Sequence, residues 1–214
     1  MRRKLNLLIT AGPTQEPIDP LRFISNYSTG TIGYEIAKEA RVRGYNVTLI
    51  SGPTGLTPPK GINFLRVQTA LQMREGVNRF FKRADCLIMA AAVSDYRPAQ
   101  AVAGKISKNA KTLNIRLVRN PDILLELSVK KANRIIVGFC LETKCLLKKA
   151  VKKLRKKNLD LIVANQLSKT NNPFGDRKSN FLLIEKEERT IRKYKNISKR
   201  NFSKLLLDRV EAMV

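Results

Sequence analysis

Near its middle the chain reads Cys86-Leu87-Ile88-Met89-Ala90-Ala91-Ala92-Val93, an almost continuous run of apolar residues. Such a run is typical of a central strand that is covered on both faces, as the strands of parallel sheets are. Elsewhere, short apolar runs rich in β-branched residues alternate with patterns of helical period, which is the arrangement of α/β proteins. We therefore predict a doubly wound, mostly parallel sheet.

The same reasoning assigns the other elements. We predict strands at residues 5–10, 46–51, 63–67, 86–93, 113–118, 135–139 and 159–164, with a hairpin of 181–185 and 190–195. Predicted helices cover residues 31–43, 122–130 with Pro121 at the first position, 143–157, and 198–214 with Ser198 as cap. A further helix capped by Thr69 turns Leu71, Val77, Phe80 and Phe81 toward the sheet. The polar loop 94–110 has a length that is usually functional or disordered, and residues 168–178 form a second polar loop.

The composition narrows the chemistry. The 214 residues are 43% hydrophobic, enough to bury a core in one domain or two small ones. There is no histidine, which excludes histidine general bases, Ser-His-Asp triads and the common zinc sites. The three cysteines lack CxxC spacing, and Cys86 and Cys140 lie in apolar runs as small hydrophobic residues. With no run long enough for a signal peptide or membrane helix, we expect a reducing, cytoplasmic location.

The chain is strongly basic, with 42 Lys and Arg against 17 Asp and Glu and a formal net charge of +25. This excess suits an anionic partner, which could be a nucleic acid, a membrane surface or a phosphorylated small molecule. The few aromatic residues do not interleave with the basic ones, as a platform for stacking single strands requires. A nucleic acid is therefore not the expected partner, and the excess is explained by a generally basic composition, since it is spread along the chain. No membrane partner is expected either.

Candidate ligand-binding residues follow the predicted strands. After the first strand the G-x-G-x-x-G fingerprint of dinucleotide-binding proteins is missing, and the long segment 11–30 stands in its place. Gly30 and Gly33 open the next helix, where glycines let the backbone approach an anion, although such a pair also serves packing. Small residues at 90–92 leave room for a ligand at the carboxyl end of the central strand.

The lysines have two interpretations. Lys105 lies in a polar loop, where it either meets a ligand or is solvated. Lys149, Lys153 and Lys157 are spaced by four residues and therefore share a helix face on which like charges repel. A triphosphate would turn that repulsion into attraction, whereas without a ligand the face is simply solvated.

Several segments form a combined pattern that runs in order over nearly the whole chain. They are ITAGPTQEPIDP (9–20), RFISN (22–26) with STG (28–30), AAAVSDYRP (90–98), GKI (104–106), NPDIL (120–124), VGF (137–139) and NLDLIVAN (158–165). Together they resemble the phosphopantothenate–cysteine ligase family of coenzyme A biosynthesis. The resemblance implies a Rossmann-like fold in a single ligase domain, residues 1–214. It also implies the stand-alone bacterial form, without the flavin-dependent decarboxylase to which the ligase is fused in most bacteria.

The resemblance further implies a reaction in two steps. The carboxylate of 4′-phosphopantothenate attacks the α-phosphate of CTP, giving an acyl-cytidylate and pyrophosphate, and the amine of L-cysteine then displaces CMP. CTP is expected in preference to ATP, Mg²⁺ is the implied metal, and no flavin is expected in this chain. The implied assembly is a homodimer, with a separate phosphopantothenoylcysteine decarboxylase as a conceivable partner.

Carried over by position, the resemblance also implies roles for individual residues. Asn26, with Gly30, would bind the substrate and hold the intermediate. Arg22 would assist the cysteine step, and Lys105 would stabilise charge on the triphosphate. The implied nucleotide contacts are Met89, Ala90, Ala91, Asp95, Lys105, Pro121, Asp122, Ile123, Leu124, Phe139, Lys153 and Lys157. Asp95 would also meet the metal, and none of these roles needs histidine, because nucleotidyl transfer relies on positioning and charge neutralisation.

Some positions depart from the family's pattern and bear on nucleotide preference and turnover. Ser94 replaces a usual alanine, Cys140 and Leu141 replace a small pair, Thr31 replaces a frequent lysine, and Ser107 interrupts a lysine run. Two other classes of function stay open at this point. Tight dinucleotide binding would indicate a nicotinamide-dependent oxidoreductase, and steeply salt-dependent binding to DNA or RNA would indicate a basic nucleic-acid-binding module.

Overall fold

The computed structural model describes residues 4–108, 111–186 and 190–214. The strands in these ranges are β1 (Asn6–Ala11), β2 (Gln15–Asp19), β3 (Arg22–Ser25), β4 (Asn46–Ser51), β5 (Asn63–Arg66), β6 (Cys86–Met89), β7 (Tyr96–Pro98), β8 (Leu117–Arg119), β9 (Ile135–Glu142), β10 (Leu161–Gln166), β11 (Ser179–Glu185) and β12 (Ile191–Ile197). The helices are α1 (Thr31–Val42), α2 (Ala70–Phe81), α3 (Ile123–Ser128), α4 (Leu146–Lys156) and α5 (Lys199–Glu211).

Eight strands form one sheet in the order β12-β11-β10-β9-β6-β1-β4-β5. The six strands from β10 to β5 are parallel, and β11 and β12 continue the sheet antiparallel at one edge. This arrangement confirms the predicted Rossmann-like sheet with a C-terminal hairpin and helix. The strand order reverses between β1 and β6, and ligands of such folds bind at the carboxyl ends of the strands beside that reversal.

Helices cover both faces of the sheet because each carries an apolar stripe. On one face α1 and α5 pack together, and Ile36 and Phe202 are completely buried there. On the other face α2, α3 and α4 bury Met73, Leu127 and Leu154. Burial of a side chain of this size contributes about 1.5–3 kcal/mol. The two cores fix the sheet, so the loops at its carboxyl edge start from rigid positions.

A hairpin of β2 and β3 occupies the segment between the first strand and the first helix, which was predicted as a loop. Asp19 makes its turn, because one carboxylate oxygen accepts the N–H groups of Leu21 and Arg22, both at 2.8 Å. Glu16 is buried and accepts the N–H of Ala70, the first residue of α2, at 2.9 Å. The hairpin is therefore attached to the carboxyl edge of the sheet.

Two predicted strands have a boundary that is wrong by about four residues, and the other strands differ by less. The central strand ends at Met89 rather than at residue 93, and beyond Met89 only Ala92 pairs again, in an isolated parallel bridge with Pro13. The strand predicted at 113–118 shortens to β8, which pairs with β7 in a ribbon separate from the main sheet. The ribbon therefore interrupts the predicted polar loop 94–110, whose last two residues lie outside the described ranges.

Helix details also differ from the prediction. Leu71 points to solvent, with 42% of its surface exposed, and does not face the sheet. Pro121 precedes α3 instead of opening it, because Asp122 is the N-cap and accepts the N–H of Leu125 at 3.2 Å. Helix α4 begins after Cys145, whose left-handed backbone conformation (φ 56°) ends the helical pattern on that side.

Among the described residues, no helix combines the length and the apolar composition that crossing a membrane requires.

Candidate functional site

The segments that follow β1 and β6 are joined by backbone hydrogen bonds at the reversal of strand order. The N–H of Ala92 donates to the carbonyl of Gly12 at 2.9 Å, and the N–H of Thr14 donates to the carbonyl of Ala92 at 3.2 Å. Gly12 has φ +71°, and a Cβ there would lie 2.8 Å from the methyl carbon of Thr54. Only glycine fits this conformation and this close approach. The two strand ends therefore form a fixed backbone floor.

A cleft of about 150 Å³ lies at the carboxyl ends of β6 and β9, beside α3 and α4. It is lined by Met89, Ala91, Val93, Ser94, Asp95, Asn120, Pro121, Asp122, Ile123, Leu124, Phe139, Lys153 and Lys157. Of the predicted nucleotide contacts, only Ala90 and Lys105 are not among them. The fold thus brings separate segments of the chain together at one place.

Lys153 enters the cleft from α4. Its amine donates a hydrogen bond of 2.6 Å to the carbonyl oxygen of Phe139, near the carboxyl end of β9. Burial lowers the pKa of Lys153, the charge of Lys157 lowers it further, and the acidic groups around the cleft oppose this only in part. The cleft therefore holds a partly dehydrated ammonium group that lacks a carboxylate partner in the described structure.

Lys157 connects α4 to the start of α3. Its amine lies 2.9 Å from the Oδ1 atom of Asp122, the N-cap of that helix. Lys149, the third lysine on this face, instead pairs with Glu142 at 2.6 Å. The lysine face is therefore not uniformly solvated, because Lys153 and Lys157 line the cleft while Lys149 has a partner outside it.

Arg22 and the loop that carries Lys105 lie together on the β2–β3 hairpin rather than in the cleft. Next to Lys105, Ile106 donates its N–H to Asp19 at 3.2 Å and accepts from the guanidinium of Arg22 at 3.1 Å. Burial would raise the pKa of Asp19, but backbone donors and the Arg22 charge outweigh it, so the pKa lies below its ordinary value. The side chain of Lys105 is exposed and makes no ion pair within the described part of the chain.

Asn26 and Gly30 lie between the floor and the first helix. The side-chain amide of Asn26 donates to the carbonyl of Ala92 at 3.1 Å, which attaches it to the floor. Gly30 is the N-cap of α1 with φ +80°, and no side chain caps the helix there. The first N–H groups of α1 are therefore available to an anion at the same edge of the sheet.

Comparison with known proteins gives the family. The model of the DNA/pantothenate metabolism flavoprotein C-terminal domain matches residues 2–213. The chain belongs to this family. Coenzyme A biosynthesis bifunctional protein CoaBC of Borreliella burgdorferi is 42% identical over 184 residues, which are 85% of this chain and 46% of that protein. CoaBC of Escherichia coli K12 is 44% identical over 177 residues, or 81% and 44% of the two chains. The chain thus spans about half the length of these curated relatives.

Solved structures agree with the flavoprotein C-terminal domain family. The crystal structure of the C-terminal domain of CoaBC superimposes with a TM-score of 0.84 at 35% identity, covering 100% of this chain and 96% of that one. A Cab2 mutant in complex with phosphopantothenate-cysteine gives a TM-score of 0.79 at 22% identity, which shows the shared fold alone. The family resemblance recognised in the sequence is confirmed.

Two residues of this flavoprotein C-terminal domain organise the site although the sequence reasoning gave them no role. Asp19 joins the hairpin turn to the Lys105 loop, and the Asp-Pro pair at a turn was the available signal. Asn120 joins the end of β6 to the start of α3, since its side chain donates to the carbonyl of Ser94 and its N–H donates to that of Asp95, both at 2.8 Å. An amide just before a proline is too common in sequences to have indicated this.

Larger grooves of this domain lie elsewhere. One of about 430 Å³ lies at the amino ends of the strands beside Asn6 and Asn46, and one of about 600 Å³ lies between β5 and α2. Neither contains a predicted site residue. Volume therefore does not locate the site, whereas the convergence of charged side chains on a strand-order reversal does.

Proposed function

We propose that the chain is a phosphopantothenate–cysteine ligase that uses CTP. In the first step a carboxylate oxygen of 4′-phosphopantothenate attacks the α-phosphorus of CTP, an O–P bond forms, and pyrophosphate leaves with the electrons of the broken bond. In the second step the amine of L-cysteine attacks the activated carbonyl. The C–N bond forms, the amine loses a proton, and CMP leaves.

The observation that carries this proposal is the pair of lysines in the cleft. Lys153 and Lys157 bring two ammonium groups to the carboxyl edge of the sheet, next to the turn that begins α3. Positive charge in a partly dehydrated cleft attracts phosphate groups more strongly than it does in water. Ala91 leaves room beyond the end of β6, and Met89 and Phe139 contribute apolar surface to the cleft, which together suit a nucleoside next to its phosphates.

Mg²⁺ fits this cleft as a companion of the nucleotide rather than as a resident ion. Within the described ranges, no group of three or more acidic or thiol side chains could hold a metal ion. Asp95 lines the cleft with its side chain exposed, and Asp122 is already paired with Lys157. Mg²⁺ is commonly held by one carboxylate, water and substrate phosphates. We assign Asp95 that role, in which the metal would neutralise charge on the triphosphate.

The phosphopantothenate side of the reaction is assigned to the neighbouring edge. Asn26 can donate to and accept from an acyl phosphate without adding charge, and Gly30 gives access to the amino end of α1, which favours an anionic group. Arg22 and Lys105, held together through Ile106, supply positive charge for the cysteine step and for nucleotidyl transfer. Ala90 would contribute only its backbone.

Other features of the proposal concern the whole protein. We propose that residues 1–214 act as one domain and that the active form is a homodimer. A cytoplasmic location stays a prediction. Support for these points comes from the family rather than from any contact of this chain.

The deciding experiment measures pyrophosphate release from CTP, ATP, GTP and UTP in turn, with phosphopantothenate present and with or without cysteine. We expect release that requires phosphopantothenate, much faster with CTP than with ATP, and sustained turnover only when cysteine is added. Turnover with ATP equal to that with CTP would overturn the nucleotide assignment and direct attention to Cys140 and Leu141. No release with any nucleotide would overturn the ligase assignment itself.

A further inference from the structure

The loop of residues 171–178 contacts the segment that leads into α1. The ring centres of Phe174 and Tyr27 are 6.1 Å apart, and the N–H of Gly175 donates to the hydroxyl of Thr29 at 3.2 Å. Tyr27 and Thr29 belong to segment 26–30. The loop therefore touches the part of the chain to which the proposed function assigns phosphopantothenate.

One end of this loop is fixed to the central sheet. Asn171 is buried, and its side-chain amide donates to the side chain of Asn165 on β10 at 2.8 Å. The side-chain oxygen Oδ1 of Asn171 accepts the N–H of Asn180 on β11 at 3.0 Å. The base of the loop thus has a defined position relative to the carboxyl end of β10.

The other end is held by Lys199, the first residue of α5. This lysine is only 4% exposed, and its amine donates to the carbonyl oxygens of Gly175 and Arg177. Burial lowers the pKa of Lys199, and the charge of Asp176 opposes the shift. An apolar side chain would fill this space without the cost of burying an ammonium group. It would, however, leave both carbonyl oxygens without this donor.

We propose that Lys199 is a positioning residue for the phosphopantothenate step. Gly175 is the link, because its carbonyl accepts from Lys199 while its N–H donates to Thr29. Through this link the first turn of α5 holds segment 26–30, and with it Asn26 and Gly30, in place. The role rests on the proposed function of those two residues. It predicts an effect on phosphopantothenate and none on the nucleotide, whose cleft lies on other elements.

The test compares Lys199→Met, which keeps the length and removes the donor, with Lys199→Arg, which keeps charge and donors. Lys204→Met is the matched control, because Lys204 lies on the same helix with its side chain exposed. Hydrogen–deuterium exchange of the protein without ligands reports on residues 27–31 and 172–178. Steady-state kinetics report KM for phosphopantothenate and KM for CTP separately.

For Lys199→Met we expect faster exchange in both segments with unchanged exchange in β1 and β10. We also expect KM for phosphopantothenate to rise about tenfold, equivalent to about 1.4 kcal/mol, with KM for CTP changed by less than about twofold. Lys199→Arg should keep exchange and KM for phosphopantothenate close to the wild-type values, and Lys204→Met should match the wild type. Should Lys199→Met fail to fold, Thr29→Val breaks the same link at an exposed position and should give the same selective rise.

Unchanged exchange in residues 27–31 would overturn the positioning role, and so would equal rises in both KM values. The exchange measurement does not depend on the reaction. If the wild-type protein has no ligase activity, the proposed function is contradicted. Faster exchange in Lys199→Met would in that case still support the link from Lys199 to segment 26–30.

Discussion

The amine of Lys153 lies 2.6 Å from the carbonyl oxygen of Phe139, so the backbone of β9 itself holds a cation in the proposed nucleotide cleft. Burial, with the charge of Lys157, lowers the pKa of Lys153. Only the protonated amine attracts phosphate. CTP affinity should therefore fall with rising pH already below about 10.4, the ordinary value for lysine.

The lowered pKa of Lys153 also fixes the sign of its effect on the free energy of unfolding. The unfolded chain binds the proton more tightly than the folded chain, so the free energy of unfolding should rise with pH between the lowered pKa and about 10.4. Lys153→Met should remove the alkaline loss of CTP affinity and reduce the rise in the free energy of unfolding, to which Lys199 also contributes. Lys152→Met, at an exposed position of the same helix, should leave both pH dependences unchanged. Calorimetric titration with CTP and denaturant unfolding across pH check this, and an unchanged alkaline limb in Lys153→Met would contradict it.

Lys105→Gln should abolish formation of the acyl-cytidylate while leaving the fold intact. The side chain is exposed and unpaired within the described ranges, so the melting temperature should not change. Loss of a cation that stabilises developing charge typically costs about 3 kcal/mol, or a hundredfold or more in rate. Pyrophosphate release in a single turnover measures the effect. Near-normal release would show that Lys105 is only a solvated loop residue. Lys108→Gln in the same loop is the control.

Asn26→Asp should lose ligation severely with little change in CTP affinity. The new carboxylate would face the carbonyl of Ala92, to which the amide now donates at 3.1 Å, and would repel an anionic intermediate. Product formation, CTP affinity and melting temperature are measured on one preparation. A folded variant that makes phosphopantothenoylcysteine at the normal rate would remove Asn26 from the site.

Asp19→Asn should lower the melting temperature. It should also slow the reaction, because Asp19 positions Arg22 and the loop that carries Lys105. The carboxylate accepts backbone N–H groups from both the hairpin turn and the Lys105 loop, and its pKa lies below the ordinary value. Its contribution to stability is therefore present above about pH 3.9, the unfolded value, and is lost as pH falls through the lowered folded pKa. Unfolding followed from pH 6 to pH 2 should show this acid limb in the wild type and in the exposed control Glu75→Gln, but reduced in Asp19→Asn.

Ser94→Ala should stabilise the protein. The hydroxyl of Ser94 is buried and has no hydrogen-bond partner in the described structure. Removing an unsatisfied buried polar group recovers a desolvation cost of about 1–3 kcal/mol. Urea unfolding of Ser94→Ala should show that gain, and Ser107→Ala, which removes an exposed hydroxyl, should show none. A loss of stability would mean that the hydroxyl is satisfied in solution.

The sheet was predictable because its strands are buried runs that differ in composition from everything around them, as residues 86–89 do. For the cleft, the sequence predicted which residues line it but not the partner of each lysine. Lysines spaced by four residues share a helix face, but the spacing does not show which of them has a carboxylate nearby. Lys149 pairs with Glu142, and Lys153 reaches a backbone carbonyl instead. No side-chain pattern encodes a contact with a carbonyl.

The hairpin β2–β3 was missed for a related reason. Its strands are short, β2 is mostly polar with a proline at its centre, and the apolar residues of β3 are adjacent rather than alternating. Tertiary hydrogen bonds hold it in place. The buried carboxylate of Glu16 accepts an N–H from the first turn of α2, and the carboxylate of Asp19 accepts the N–H of Ile106. The role of Lys199 could not be predicted from the sequence either, because its partners are carbonyl groups in a polar loop far from it in sequence.

The link from α5 to segment 26–30 has a consequence for how the protein is made. Asn26 emerges early in synthesis, yet the lysine that holds its segment belongs to the last helix in the described chain. Until that helix has been made, the sheet face that α1 and α5 cover together lacks both this link and the apolar side chains of α5. The edge proposed to bind phosphopantothenate therefore takes its final form only after this helix has been synthesised.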